Sequence, residues 1–229
     1  MIERIGENLS RVRQEIQKAC GRSGRSPGEI TLLAVSKGFP AEVLTEAATH
    51  GQRLFGENYL KEGAEKMLQL AGLELSWHFL GHLQRNKARK VASLFQLIHS
   101  VDSLELGWFL SEEGQRRERP VPCLLEVNLG RELSKTGFLP EQLLRAQSLF
   151  SVPGLEVRGL MAIPPAGAME ATRQHFQTLR GLREDLSERL GRPLPDLSMG
   201  MSDDYPIAVE EGATLVRVGR AIFGPRRRR

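Results

Sequence analysis

Cysteine is scarce in this chain. Its 229 residues include two, Cys20 and Cys123. They are too few for a disulfide framework and lack metal-ligand spacing, which suits a reducing cytoplasm, the expected location. Long apolar runs are missing too, so no stretch approaches a membrane span. The opening segment Met1-Ile2-Glu3-Arg4-Ile5-Gly6-Glu7-Asn8 is charged and has no apolar stretch of the kind a secretory signal needs. Aromatics make up only 6% of the chain, and none interleave with its basic clusters, which argues against a single-stranded nucleic-acid platform. No Ser-His-Asp nucleophile motif, zinc spacing or Walker loop is apparent.

What is present fits one soluble domain over residues 1–229, large enough to bury a core without staples: 40% of residues are hydrophobic and 26% charged. The net charge is +4 and the pI about 9.3. The tail Arg226 to Arg229 supplies that excess, and a solvated basic tail is the simplest reading of it.

Apolar patterning alternates between two periods. Residues 3–20 place Ile5, Leu9, Val12 and Ile16 on one helical face, and the Gly- and Pro-containing run 22–28 breaks that helix. Strands are predicted near 30–37, 53–57, 76–81, 97–101, 122–128, 156–163, 196–200 and 215–219. Helices are predicted near 40–50, 59–71, 86–95, 104–117, 140–150, 168–190 and 205–211. Strands that alternate with helices pair in parallel, because parallel neighbours need crossovers. Eight strands with seven intervening helices and an N-terminal helix predict an α/β fold, a single (β/α)8 TIM-type barrel with an extra N-terminal helix. The alternative, an open doubly wound sheet, lacks a Gly-x-Gly-x-x-Gly turn after its first strand.

A barrel of this kind carries its function at the carboxyl ends of the strands. The first strand, Leu32-Leu33-Ala34-Val35-Ser36-Lys37, ends there on a primary amine. A partly desolvated lysine can form a Schiff base with a carbonyl compound. The segment Ser198-Met199-Gly200-Met201-Ser202-Asp203-Asp204 reads as strand, turn and helix start, and Leu215 to Gly224 contains the last strand. Helix starts present free N–H groups to phosphate, and the loops after strands seven and eight are the usual phosphate site of barrels. Ser202 serves there as ligand or cap, and Gly219 admits a ligand oxygen near the backbone. Asp203 and Asp204 are expected to point away from any phosphate. An amine opposite a phosphate cradle suits a ligand with both an aldehyde and a phosphate, namely pyridoxal 5′-phosphate (PLP).

Ordered segments across residues 30–224 resemble the pyridoxal phosphate homeostasis protein family. They include Ala34-Val35-Ser36-Lys37, Phe55-Gly56-Glu57-Asn58, Trp77 to Lys87, His99 to Ser103, Glu126-Val127-Asn128, Ser134 to Phe138 and Gly159 to Pro164, followed by the two segments above. The resemblance implies a barrel like the N-terminal domain of alanine racemase. It implies that Lys37 carries PLP as an aldimine, and that Ser202 with the N–H groups of Gly219 and Arg220 holds the phosphate. It further implies that Arg217 lies near the pyridine nitrogen and that Asn58 and Met161 line the ring pocket. Lys135 matches a family lysine tied to a secondary or transfer site. One departure is Arg220, where relatives have a small hydroxyl residue, so the role of its side chain is open.

An arginine at the pyridine nitrogen donates and accepts nothing. It keeps the ring unprotonated, a poor electron sink for carbanion chemistry. The chain is also too short for the second domain of alanine racemase. The expectation is a carrier with little or no turnover that supplies PLP to apo-enzymes, as a monomer or weak dimer, without membrane or nucleic-acid partners. The competing readings are a PLP-dependent racemase or aldolase and a nucleic-acid-associated protein. His78 and His82, four apart in a strand-to-turn segment, read as structural or pocket-lining side chains. Glu112, Glu113, Arg116 and Arg117 read as weak surface pairs. The cluster Gln84 to Lys90 reads as a solvated basic face, and Leu143, Leu144 and Phe150 as one face of a packing helix.

Overall fold

The computed structural model describes residues 4–132, 134–143 and 145–225. The Arg226–Arg229 tail and Leu144 lie outside these described residues. Eight strands run β1 (Thr31–Val35), β2 (Leu54–Glu57), β3 (Ser76–Phe79), β4 (Leu97–Val101), β5 (Val121–Val127), β6 (Leu155–Ala162), β7 (Asp196–Ser198) and β8 (Leu215–Val218). Each pairs in parallel with the next, and β8 closes on β1 with Leu33 opposite Arg217. All eight strands of the sequence reading are present, and the barrel is closed rather than open.

The helices are α1 (Ile5–Ser23), α2 (Ala41–Thr49), α3 (Leu60–Gln69), α4 (Arg85–Leu94), α5 (Leu104–Arg116), α6 (Met169–Leu190), α7 (Tyr205–Glu210) and α8 (Arg220–Phe223). The main core lies between the strands and these helices. A separate cluster of Leu97, Leu124, Met161 and Leu215 comes from β4, β5, β6 and β8. The predicted face of α1 is buried through Ile5, Leu9, Val12 and Ile16, and the helix stops at Gly24 in the left-handed conformation with φ +67°. It packs on α2, α7 and α8, and Asn8 Nδ2 donates to the Ile222 carbonyl at 2.9 Å. The N-terminal helix thus braces the short helix that follows the last strand.

One predicted helix is absent. Residues 140–150 form two short 3-10 segments, Pro140–Gln142 and Arg145–Phe150, and not an α-helix. Apolar spacing is nevertheless honoured, because Leu143, Ala146, Leu149 and Phe150 are all buried. Two glycines of α5 explain the tight seat. A Cβ on Gly107 would run into the methyls of Leu149, and one on Gly114 would overlap the Gly154 carbonyl. A second correction concerns Glu113. It is buried, and Arg116 Nη2 donates to both its oxygens at 2.6 and 2.7 Å while Arg89 approaches to 3.3 Å. This carboxylate belongs to a helix–helix contact of α4 and α5 and not to a solvated surface.

Candidate functional site

β1 ends in a tight turn. The Phe39 N–H donates to the Ser36 carbonyl at 3.1 Å, and Gly38 adopts φ +77°, the value a type II turn requires at its third position. Lys37 therefore occupies the second position of a turn at the strand's carboxyl end. A cavity of about 690 Å³ opens there, and its wall includes Lys37, Asn58, Met161, Ser202, Arg217, Gly219 and Arg220. All seven residues singled out from the sequence share one cavity, although they come from five different strand ends. Its size falls within the usual range for small-molecule sites.

The end of the cavity formed by the segments after β7 and β8 is built differently from its sequence reading. Ser202 does not cap α7; its Oγ accepts the Ala221 N–H at 3.2 Å, in the first turn of α8. Asp204 turns back to accept the Met201 N–H at 2.6 Å and is buried. Asp203 lines the cavity, but the exposed Arg220 guanidinium pairs with it and offsets its charge. This places the unusual Arg220 side chain against Asp203. A Cβ on Gly219 would lie 3.0 Å from the Val35 carbonyl, so a small residue there lets the start of α8 close onto β1. Phe39 and Phe223 pack at 5.1 Å between ring centroids and tie the Lys37 turn to α8.

Arg217 is buried under the cavity floor. It donates to Ser198 Oγ at 2.7 Å and to the Ala162 carbonyl at 2.9 Å. Burial pushes its pKa down to about 10, which still leaves it charged at neutral pH. Ser198 Oγ also meets His99 Nδ1 at 2.9 Å, and His99 Nε2 meets His78 Nδ1 at 3.0 Å. β4 and β7 are not neighbours, so this chain of bonds crosses the inside of the barrel. Arginine can only donate, which gives the relay its direction: Arg217 to Ser198, Ser198 to His99, and His99 Nε2–H to His78. The opposite sense leaves the Ser198 hydroxyl proton without an acceptor. Burial drives the His78 pKa down to about 4 and that of His99 in the same direction, so both rings are neutral.

Sequence reasoning singled out neither Ser198 nor the His78–His99 pair for this role. The signal available was three polar residues at inward positions of apolar strands. His82 is elsewhere, exposed and 3.1 Å from Asp102. Nearby, burial and Asp102 push Glu126 up to about 6. Asn58 Oδ1 is buried with no hydrogen-bond partner, a vacant acceptor on a residue of the cavity wall. Lys135 lies off this wall, in the loop after β5, paired with Glu132. The basic α4 face forms, with Arg116 and Arg117, a separate shallow cavity of about 460 Å³. Among the described residues, no helix is long and apolar enough to cross a membrane.

Comparison with known proteins identifies the family of the chain. The alanine racemase N-terminal domain family matches residues 7–227. The pyridoxal phosphate homeostasis protein of Pseudomonas aeruginosa is 46% identical over 224 residues, covering 97% of this chain and 96% of its own. PipY of Synechococcus elongatus, solved with PLP bound, is 38% identical with a TM-score of 0.85, covering 96% of this chain and 100% of its own. An alanine racemase of Clostridium difficile shares the fold at 16% identity and a TM-score of 0.75, with 97% of this chain matching 57% of the racemase. The chain belongs to the alanine racemase N-terminal domain family and, within it, to the pyridoxal phosphate homeostasis proteins.

Proposed function

We propose that this protein is a PLP carrier: it holds the cofactor reversibly through Lys37 and supplies it to apo-enzymes in the cytoplasm, with no turnover of its own. The observation that carries the reading is the shared cavity, whose wall includes both Lys37 and Ser202, the latter with its hydroxyl on the first turn of α8. PLP supplies the aldehyde. Lys37 would hold that aldehyde through a C=N linkage, formed with loss of water and reversed by hydrolysis. Ser202 with the N–H groups of Gly219 and Arg220 receives the phosphate, Met161 and Asn58 receive the ring, and Arg217 donates toward the pyridine nitrogen.

The residues fit the group. Asn58 Oδ1 offers an acceptor that no protein donor uses. Arg217 spends two of its five N–H donors on Ser198 and Ala162 and retains others for a ligand. The Arg217 guanidinium donates and cannot accept, so it would leave the pyridine nitrogen unprotonated.

The test is direct. Purified protein mixed with PLP is expected to develop an imine absorption band, and borohydride is expected to fix the mass of PLP on the Lys37 peptide. Lys37→Ala is expected to abolish both. A wild-type protein that takes up no PLP, or label on another lysine alone, would overturn the assignment. Sustained conversion of an amino acid by the loaded protein would overturn the non-catalytic part. Loaded protein is also expected to activate a PLP-free enzyme.

A further inference from the structure

A buried charge cluster lies directly behind Lys37. Glu57 ends β2 and Lys66 sits on α3, both buried, and Glu62 lies one turn before Lys66. Lys66 Nζ donates to the Ser36 carbonyl at 2.7 Å, to Glu57 Oε1 at 2.6 Å and to Glu62 Oε1 at 2.6 Å. Those bonds use all three ammonium donors. Lys66 is therefore saturated and fixed.

The cluster grips the chain on both sides of Lys37. On one side, Ser36 Oγ donates to Glu57 Oε1 at 2.7 Å, and the Ser36 carbonyl takes Lys66. On the other, the Gly38 N–H donates to Glu62 Oε1 at 2.6 Å. Burying Glu57 and Lys66 is costly, and apolar side chains of similar volume would stabilise a helix–strand contact at least as well. Apolar packing, however, cannot hold a peptide carbonyl and a peptide N–H at set positions, and this cluster does both around one residue.

We infer that Glu57, Lys66 and Glu62 form a clamp that fixes the turn bearing Lys37, with Glu62 and Lys66 as positioning residues for its amine. The inference rests on the carrier reading for its ligand. The value of the clamp lies in orientation: a turn held in one conformation gives the Lys37 side chain a fixed root, so less backbone freedom is lost when its amine meets a bound carbonyl. Such a device strengthens capture of an aldehyde and leaves affinity for the phosphate and ring unchanged.

Glu62→Ala separates these contributions, because Glu62 is the most exposed of the three and leaves the Glu57–Lys66–Ser36 contacts in place. The ligands to compare are PLP and pyridoxine 5′-phosphate, which has the same ring and phosphate but no aldehyde. PLP affinity is expected to fall about tenfold, the scale of one charge-assisted hydrogen bond, with pyridoxine 5′-phosphate affinity within about twofold of wild type. Glu62→Gln keeps an acceptor oxygen and is expected to restore most of the loss. Without added ligand, amide exchange at Gly38 is expected to speed up in Glu62→Ala, while Ser36, bonded to the Gly56 carbonyl at 3.0 Å, keeps its rate. Equal weakening of both ligands, or no change in PLP affinity, would overturn the clamp. Should wild-type protein bind no PLP, the carrier reading fails by itself. The exchange rates then decide the clamp, and an unchanged Gly38 rate overturns it.

Discussion

At the scale of single residues, the cavity depends on atoms that are absent as much as on those present. Gly81 shows this. A Cβ there would overlap the carbonyl of Asn58, a residue of the cavity wall whose Oδ1 is buried without a hydrogen-bond partner. The neighbour is backbone and cannot rotate away, so Asn58 would have to move. Gly81→Ala is expected to cost about 1–3 kcal/mol in urea unfolding, as overpacking does, and to weaken PLP binding along with it. Unchanged stability and binding would mean that the 58–81 contact is softer than it appears. Arg220 illustrates the converse. Its guanidinium pairs with Asp203, a partner that the sequence alone does not reveal.

Whole elements meet through matched shapes. α5 lies on the 3-10 segment Arg145–Phe150 with Gly107 facing Leu149, whose methyl carbons would stand 2.6 Å from an added Cβ. Helical glycine is unfavourable by about 0.5–1 kcal/mol relative to alanine, so an alanine at 107 gains propensity and loses through collision. In the wild-type background, Gly107→Ala is expected to destabilise. Leu149→Ala is expected to cost about 2–5 kcal/mol by opening a cavity. In the Leu149→Ala background, Gly107→Ala is expected to stabilise, because the collision partner is gone. A double-mutant cycle by urea denaturation reads the change of sign, and strict additivity would show that the two sites do not meet. The α-helix expected at 140–150 is replaced by two 3-10 segments, yet the apolar spacing still marks the buried side chains Leu143, Ala146, Leu149 and Phe150.

Across the whole barrel, the relay from Arg217 to His78 makes stability sensitive to acid. His78 has a folded pKa near 4 against an ordinary value of 6.5, and His99 is shifted the same way. Between those values the unfolded chain takes up protons that the folded chain refuses. Their contribution is complete above pH 6.5 and is lost as pH falls toward 4. Glu126, raised to about 6 by burial, and the similarly raised Glu57 and Asp204 act in the opposite sense, favouring the fold at low pH. Comparing variants isolates the histidine. His78→Asn keeps an acceptor for His99 and removes the titration. Its loss of stability from pH 7 to pH 5 is expected to be smaller than that of wild type by on the order of 2 kcal/mol. Parallel pH profiles for the two proteins would show that the ring is not held neutral by the fold.

Alternating periods in the sequence determined the strands, most of the helices and the parallel pairing, because burial on one or two faces leaves a repeating mark along the chain. Lys37 and the segments after β7 and β8 were legible for the same reason: strand ends can be located in one dimension, and a barrel puts them on one rim. Other features left no such mark. Ser198, His99 and His78 lie far apart in sequence and meet only because the barrel closes. Lys66 looks like one more amphipathic-helix lysine until β2 brings Glu57 to it. Ser202 reads from sequence as an anion ligand or a cap of α7, but the helix its hydroxyl meets is α8. Local patterning is set by which side chains leave water, and a chain carries that information residue by residue. Partners across a closed sheet are set by register and shear, which exist only once all eight strands have paired.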